Sequence, residues 1–315
     1  MPKYADITGW GKCMPPAVMT NDDMASVIET SDEWIRTRSG IRERRVSHVP
    51  ASDLAAVAGF RALAAAGADV EDVDLLVVAT CTPDNIIPST AAHVQKKMGA
   101  RNAAVFDLNA GCSGFVYSMT VVNALVRTGV YRKVLVIGAE RITWLLNWSL
   151  RDTAVLFGDG AGAVLVEPSE QESGLLASHL GCEGEALEAL LVPNFGTAGN
   201  RFVEDYRVFD VMFDGREIFR RAVKGMAQEI RLVMEELGLE NSDVDLIIPH
   251  QANERIIQSL ANHLGVPMEK VALNIANYGN TSAATIPVAL CEALEEGRIE
   301  PGANLLLAAF GTGLT

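Results

Sequence analysis

The chain has 315 residues, 49% hydrophobic and 21% charged, and its 40 acidic against 26 basic side chains give a formal charge of −14. That is apolar material for a large buried core, while the negative charge excludes nucleic acid as a partner, because phosphate recognition needs a basic face. No stretch reaches the ~20 uninterrupted apolar residues of a membrane helix, and the N-terminal MPKYADITGWGKC lacks the features of a signal peptide, so a soluble cytoplasmic protein without membrane insertion is expected.

In chain order, five apolar runs predict strands: VDLLVVAT at 73–80, AAVFDLNA at 103–110, KVLVIGAE at 133–140, VDLIIPH at 244–250 and NLLLAAF at 304–310. Runs this continuous mark strands buried on both faces. Helical patterns over 89–98, 115–127 and 286–296 lie between them and complete right-handed β-α-β units. The pattern also repeats. Val73-Asp74-Leu75-Leu76-Val77 reads like Val244-Asp245-Leu246-Ile247-Ile248, an offset of 171 residues (244 − 73), and two later blocks match in the same order. The prediction is an α/β fold of two duplicated halves, 1–170 and 171–315, whose mixed, mainly parallel sheets stack with helices in five layers.

Aligning Gly111-Cys112-Ser113 with Gly279-Asn280-Thr281 puts Cys112 and Asn280 at equivalent strand-to-helix turns, and Ala79 matches His250 at the end of its strand. Ligands bind at the carboxyl ends of strands in open α/β sheets, so Cys112, His250 and Asn280 are expected on one rim. The five cysteines form no C-x-x-C pair, which supports neither a zinc site nor a disulfide framework. Cys112 differs from the others by context. Glycines flank its turn, and it precedes a helical pattern whose unpaired N–H groups favour a thiolate nucleophile. The plain alternative is a buried structural cysteine. His250, in Pro249-His250-Gln251-Ala252-Asn253, could instead be a satisfied core histidine, and Asn280 a helix cap, a use compatible with offering its amide to a substrate oxygen. The run Phe157-Gly158-Asp159-Gly160-Ala161-Gly162-Ala163 leads into a strand-like segment. That argues against a dinucleotide fingerprint and for close backbone packing. Phe310-Gly311-Thr312-Gly313 could hold an oxyanion through backbone N–H groups or be a simple turn.

Together, TSDEWIRTRSGIRER, AGCSGF, FGDGAGA, PHQANERII and YGNTSAA resemble β-ketoacyl-acyl carrier protein synthase III, the initiating condensing enzymes of bacterial fatty-acid synthesis in the thiolase superfamily, over nearly the whole chain. The resemblance implies a thiolase-like five-layer αβαβα fold and a two-step reaction without a cofactor. Cys112 would take an acyl group from acyl-CoA. Malonyl-acyl carrier protein would then lose carbon dioxide and attack the acyl-cysteine. Backbone N–H groups of Cys112 and Thr312 would hold the acyl oxyanion, and His250 and Asn280 the enolate. It further implies Trp34 and Arg151 around the adenine of coenzyme A, Arg38 near its phosphates and Asn253 along the pantetheine tunnel. Ile87 would reach into the acyl pocket of a second subunit in a homodimer. The basic stripe Arg216, Arg220, Lys224 and Arg231, with Arg255, is either a solvated face or the dock for an acidic carrier protein.

Three features depart from the family pattern. Thr312 stands between two glycines where many relatives have three, Ile87 where many have a larger aromatic, and relatives continue beyond Leu314-Thr315 into a Trp-Gly segment and a last strand. Other readings stay open on sequence: a synthase of secondary metabolism, a condenser without decarboxylation, or, from another class, a Cys-His-Asn thioester hydrolase, in which the histidine must contact the thiol.

Overall fold

Three of the apolar runs lie in one five-stranded sheet, in the order Tyr4–Cys13, Asp159–Ser169, Val134–Arg141, Leu75–Ala79, Ala104–Leu108, in which Tyr4–Cys13 is a strand that the runs did not predict. The computed structural model describes residues 4–193 and 210–315. Asp159–Ser169 runs antiparallel to both neighbours and the remaining pairings are parallel, so four strands share one direction. In the second half, Leu246–Pro249 and Leu305–Ala308 pair in parallel.

Helices form the other layers. Ala51–Ala66 and Thr90–Met98 cover one face of the first sheet, through Ala55, Ala58, Val94 and Met98. Gly114–Arg127 and Thr285–Glu295 lie between the two sheets, where Phe115, Val122, Ile286 and Leu290 share one core with Val77, Val136, Leu246 and Ile248. Gly215–Leu237 and Glu254–Leu264 cover the outer face of the second sheet. Each large aliphatic or aromatic side chain buried there contributes about 1.5–3 kcal/mol of hydrophobic stabilisation. The five layers are those expected from the sequence, and the three helices predicted over 89–98, 115–127 and 286–296 begin and end within a residue of those bounds.

Two expectations are corrected. Ala104–Leu108 is not buried on both faces; it is the sheet edge, and its residues are exposed or half-buried. An apolar run reports only a preference for burial; here Val105 packs on one face and Phe106 and Leu108 on the other, but the strand ends the sheet and its outer edge pairs with no strand among the described residues. The residue-level alignment of Cys112 with Asn280 is also wrong by three positions. The strands Val134 and Leu305, the helix starts Gly114 and Thr285, and the bends Gly111 and Ser282 all stand 171 residues apart (305 − 134, 285 − 114, 282 − 111). Cys112 therefore corresponds to Ala283, and Asn280 to Asn109. The alignment slipped because Val271 bridges Ile247 where Val105 pairs with Leu76, an offset of 166 (271 − 105). The five extra residues (171 − 166) are taken up around the short helix Ile275–Tyr278, which also limits the second copy's equivalent of the edge strand to that single bridge.

Candidate active site

Cys112 lies in a single 3-10 turn, Gly111–Ser113, between the edge strand and the central helix Gly114–Arg127. Asn109 Oδ1 accepts the Gly111 N–H at 3.2 Å and holds the bend, in which Gly111 has φ +53°. The C-terminal loop interlocks with this turn. A methyl group on Gly111 would lie 2.1 Å from Thr312 Oγ1, and one on Gly311 would lie 2.8 Å from the Cys112 nitrogen. Both glycines are thus required by close approach. Thr312 itself has an ordinary backbone, because positive φ falls on Gly313 and Leu314. Ser113 Oγ and the Gly311 N–H both donate to the Thr315 carbonyl, at 3.0 Å each. Among the described residues, the N–H groups of Cys112 and Thr312 donate to no backbone acceptor.

Burial pushes the Cys112 thiol up to about 12, opposed by a hydrogen bond with the Ser282 hydroxyl and reinforced by the Glu140 carboxylate. The sequence argument had weighed only the helix terminus. An interaction with a helix end is worth about 0.3–1 kcal/mol at exposed sites, less than the cost of burying an anion, so Cys112 rests as the thiol.

His250 closes Leu246–Pro249 at its C-terminal end, with its N–H donating to the Ala308 carbonyl at 2.7 Å. It is 3% exposed, and desolvation lowers its pKa to about 3. The ring is neutral at physiological pH. Its Nδ1 lies 2.6 Å from Thr285 Oγ1.

Asn280 is fixed by the start of the glycine run, whose later residues open the strand Asp159–Ser169. Its N–H donates to the Leu156 carbonyl at 2.9 Å, and the Gly158 N–H donates to its carbonyl at 3.1 Å. A methyl group on Gly158 would lie 2.2 Å from the Tyr278 carbonyl and one on Gly162 2.7 Å from Val288 N, which bears out the close-packing reading of that run. Asn280 Oδ1 accepts the Ser282 N–H at 2.8 Å. The amide is therefore turned so that its Nδ2 protons are available as donors. It caps the turn and offers an N–H at once.

The three residues meet around Ser282–Thr285. The Ser282 N–H holds Asn280, its hydroxyl lowers the pKa of the Cys112 thiol, and its carbonyl lies 3.0 Å from Thr285 Oγ1, which touches His250. Ser282 has φ +51°, a strained backbone for a residue with a side chain, and its hydroxyl donates to Glu140 Oε1 at 3.1 Å. Glu140 is fully buried and receives hydrogen bonds from Thr80, Thr82 and the Cys81 N–H. Burial raises its pKa, and those bonds restrain the rise. Ser282, Thr285 and Glu140 received no role from sequence. Their signals were Glu140, a charge closing an apolar strand, and two hydroxyls within five residues of Asn280.

A second cluster forms nearby. Arg38 and Arg151 stack on the Trp34 ring, with Cζ at 4.7 and 4.4 Å from its centroid. The spacing admits no ring between Trp34 and Arg151, so an incoming base must displace the guanidinium. Arg151 can swing: it is exposed, and besides the ring its partners among the described residues are the Glu29 carbonyl at 3.4 Å and Asp152 at 4.0 Å. Asn253 caps Glu254–Leu264 through the Arg255 N–H and donates Nδ2 to the Arg38 carbonyl at 3.0 Å. Its amide is engaged in holding the Arg38 helix end, a use the sequence reading did not include. Ile87 does not reach the site of its own chain; Ile86 and Ile87 are 84% and 86% exposed.

Gly215–Leu237 buries Ile218, Ala222, Met226 and Ile230 and turns Arg216, Arg220, Lys224 and Arg231 to solvent. Arg220 is held by both Glu217 oxygens, whereas Arg216, Lys224 and Arg255 have no ion-pair partner among the described residues. Lys224, Gln228, Arg231, Leu232 and His263 line a shallow depression there.

The sequence matches the family models for 3-oxoacyl-[acyl-carrier-protein (ACP)] synthase III over residues 106–184 and for the C terminal of 3-oxoacyl-[acyl-carrier-protein (ACP)] synthase III over residues 234–315. It is 54% identical to a β-ketoacyl-[acyl-carrier-protein] synthase III 2 of Vibrio vulnificus, covering 99% of this chain and 86% of the relative. It is 48% identical to a β-ketoacyl-[acyl-carrier-protein] synthase III of Roseiflexus castenholzii, covering 100% and 97%. A solved 3-oxoacyl-[acyl-carrier-protein] synthase III from Aquifex aeolicus superposes with a TM-score of 0.92 at 42% identity, covering 98% of this chain and 97% of that one. With the glycine-locked cysteine, the buried neutral histidine and the oriented asparagine around one serine, this chain belongs to the β-ketoacyl-acyl carrier protein synthase III family.

Proposed function

We propose that the chain catalyses decarboxylative Claisen condensation of an acyl-CoA primer with malonyl-acyl carrier protein, through an acyl-Cys112 intermediate. The observation that carries the division of labour is the set of donors: the Cys112 and Thr312 N–H groups, left without a backbone acceptor in the two interlocked turns, and the Asn280 amide and the neutral His250, both tied to the Ser282–Thr285 turn. In the first half-reaction the Cys112 sulfur attacks the thioester carbonyl, the Cys112 and Thr312 N–H groups bind the oxyanion, and coenzyme A leaves as the thiol with the proton Cys112 gives up. In the second, malonyl-acyl carrier protein loses carbon dioxide, Asn280 and His250 bind the enolate oxygen, and the carbanion attacks the acyl carbonyl and expels Cys112. A preorganised donor of this kind is worth about 2.7–4 kcal/mol. The steps require the two thioesters and no further cofactor. A hydrolase would need His250 on the thiol, but among the described residues the ring's side-chain hydrogen bond is to Thr285 and none joins it to Cys112.

Coenzyme A would stack on Trp34 in place of Arg151, with Arg38 turning to its phosphates and Asn253 holding the helix end they share. Arg216, Lys224 and Arg255 would receive the acidic carrier protein; Arg220, already neutralised by Glu217, contributes less. The half-exposed edge strand Ala104–Leu108 and the Ile86-Ile87 projection support a homodimer in which Ile87 enters the partner's acyl pocket. We place the enzyme in the cytoplasm with these substrates; no described helix is long and apolar enough to cross a membrane. Single-turnover assays test the assignment. His250→Ala and Asn280→Ala should take up acyl groups at near-normal rates and fail to release carbon dioxide, and equal loss of both half-reactions would contradict it.

A further inference from the structure

The role proposed for His250 requires a hydrogen-bond donor at Nε2, and the ring has a single proton to place, because burial keeps it neutral. Charge cannot supply the donor, so the tautomer must. Nδ1 has one neighbour, the Thr285 hydroxyl, at 2.6 Å. That hydroxyl also has one proton and two acceptors within reach, Nδ1 and the Ser282 carbonyl at 3.0 Å. The Ser282 carbonyl already receives the backbone N–H of Thr285, whereas Nδ1, buried with the ring, has no other partner among the described residues. With the proton on Nε2, as the proposed role requires, Nδ1 can only accept, and the hydroxyl 2.6 Å away is the group placed to donate to it in preference to the Ser282 carbonyl.

We infer that Thr285 is a positioning residue whose hydroxyl donates to His250 Nδ1, fixing the Nε2–H tautomer and so making a neutral histidine the hydrogen-bond donor to the substrate's thioester oxygen. Thr285 is 2% exposed and opens the helix Thr285–Glu295. It does not itself touch substrate. The Ser282 bend sets it in place, and the same bend aims the Asn280 amide through its N–H. Both enolate donors are therefore oriented from one strained turn. This inference rests on the division of labour proposed above and adds to it the group that decides which ring nitrogen carries the proton.

The test is nitrogen NMR of His250 in the full-length enzyme, with Thr285→Val, which keeps the shape and removes the hydroxyl, and Thr285→Ser, which restores it. Wild type and Thr285→Ser should show the Nε2–H tautomer. Thr285→Val should lose it, with decarboxylation of a malonyl thioester falling about 10²-fold or more while acylation of Cys112 stays within a few-fold of normal. An Nδ1–H tautomer in wild type overturns the inference, as does a Thr285→Val enzyme that keeps the Nε2–H form or decarboxylates normally. If the tautomer behaves as stated but His250→Ala still decarboxylates, the tautomer assignment stands and the catalytic role of His250 fails.

Discussion

The two duplicated turns, Asn109–Ser113 and Asn280–Ala284 in chain numbers 109–113 and 280–284, share a backbone and divide the chemistry. In each, an asparagine side chain accepts the N–H of a residue two positions on, at 3.2 Å in the first and 2.8 Å in the second. In each, that residue bends with positive φ, +53° at Gly111 and +51° at Ser282, and a 3-10 turn and a central helix follow. The first copy uses glycine at the bend because the C-terminal loop fills the space a side chain would need, and puts the nucleophile next. The second accepts a strained serine, costing about 1–3 kcal/mol, and its hydroxyl donates to Glu140. Its asparagine is buried at 7% exposure, whereas Asn109 faces solvent. On the proposed function, one frame would serve as acyl carrier in one half and enolate binder in the other.

The largest expected effect breaks the interlock of the first turn. Gly311→Ala would put a methyl group 2.8 Å from the Cys112 nitrogen; acylation should fall by about 10² or more in pre-steady-state assays, with a stability loss of about 1–3 kcal/mol. Next comes the exchange of bends. Gly111→Ser should destabilise the fold by at least about 2 kcal/mol in denaturant melts, because its Cβ would meet Thr312 Oγ1 at 2.1 Å. Ser282→Gly should leave stability within about 1 kcal/mol, relief of strain offsetting lost hydrogen bonds, yet slow decarboxylation. If both exchanges are equally costly, the two bends are not specialised as described.

The thiol supplies a pH test. With its pKa pushed up to about 12, the thiolate fraction rises tenfold per pH unit throughout the neutral range. Alkylation of Cys112 should therefore increase steadily from pH 6 to 10 without levelling; a plateau near neutrality would show that the helix terminus outweighs burial. The histidine gives the opposite kind of dependence. Its pKa of about 3 in the fold lies below 6.5 in the unfolded chain, so the unfolded state binds the extra proton between those values, and its contribution makes stability fall as pH drops through that window. The smallest effect is at the second cluster: Trp34→Ala should raise KM for acyl-CoA about 10-fold with little change in kcat.

Much of this frame was legible in the chain. The apolar runs gave the strands, and the offset of 171 residues set the two halves in register from Leu75 and Leu246 to Val134 and Leu305. Cys112, His250 and Asn280 were legible because each stands where an apolar pattern breaks into a turn. The three-residue slip between Cys112 and Asn280 was not, because glycines recur in both turns and the insertion around Ile275–Tyr278 has no strong pattern of its own. Thr285 and Glu140 were hidden for a different reason. Their roles depend on a 2.6 Å contact across 35 residues and on donors 58 to 142 residues away, and no local spacing encodes such contacts. The state of the thiol was misjudged because desolvation is a property of the packed site, whereas a helix start can be read locally.

The most direct measurement is intact-protein mass spectrometry of the enzyme incubated with acyl-CoA and then with malonyl-acyl carrier protein. A single acyl adduct should form on Cys112, disappear as β-ketoacyl product and carbon dioxide are released, and persist unconsumed in Asn280→Ala. An adduct that still forms on Cys112→Ala and passes into product, or one that Asn280→Ala consumes at the normal rate, would contradict the account.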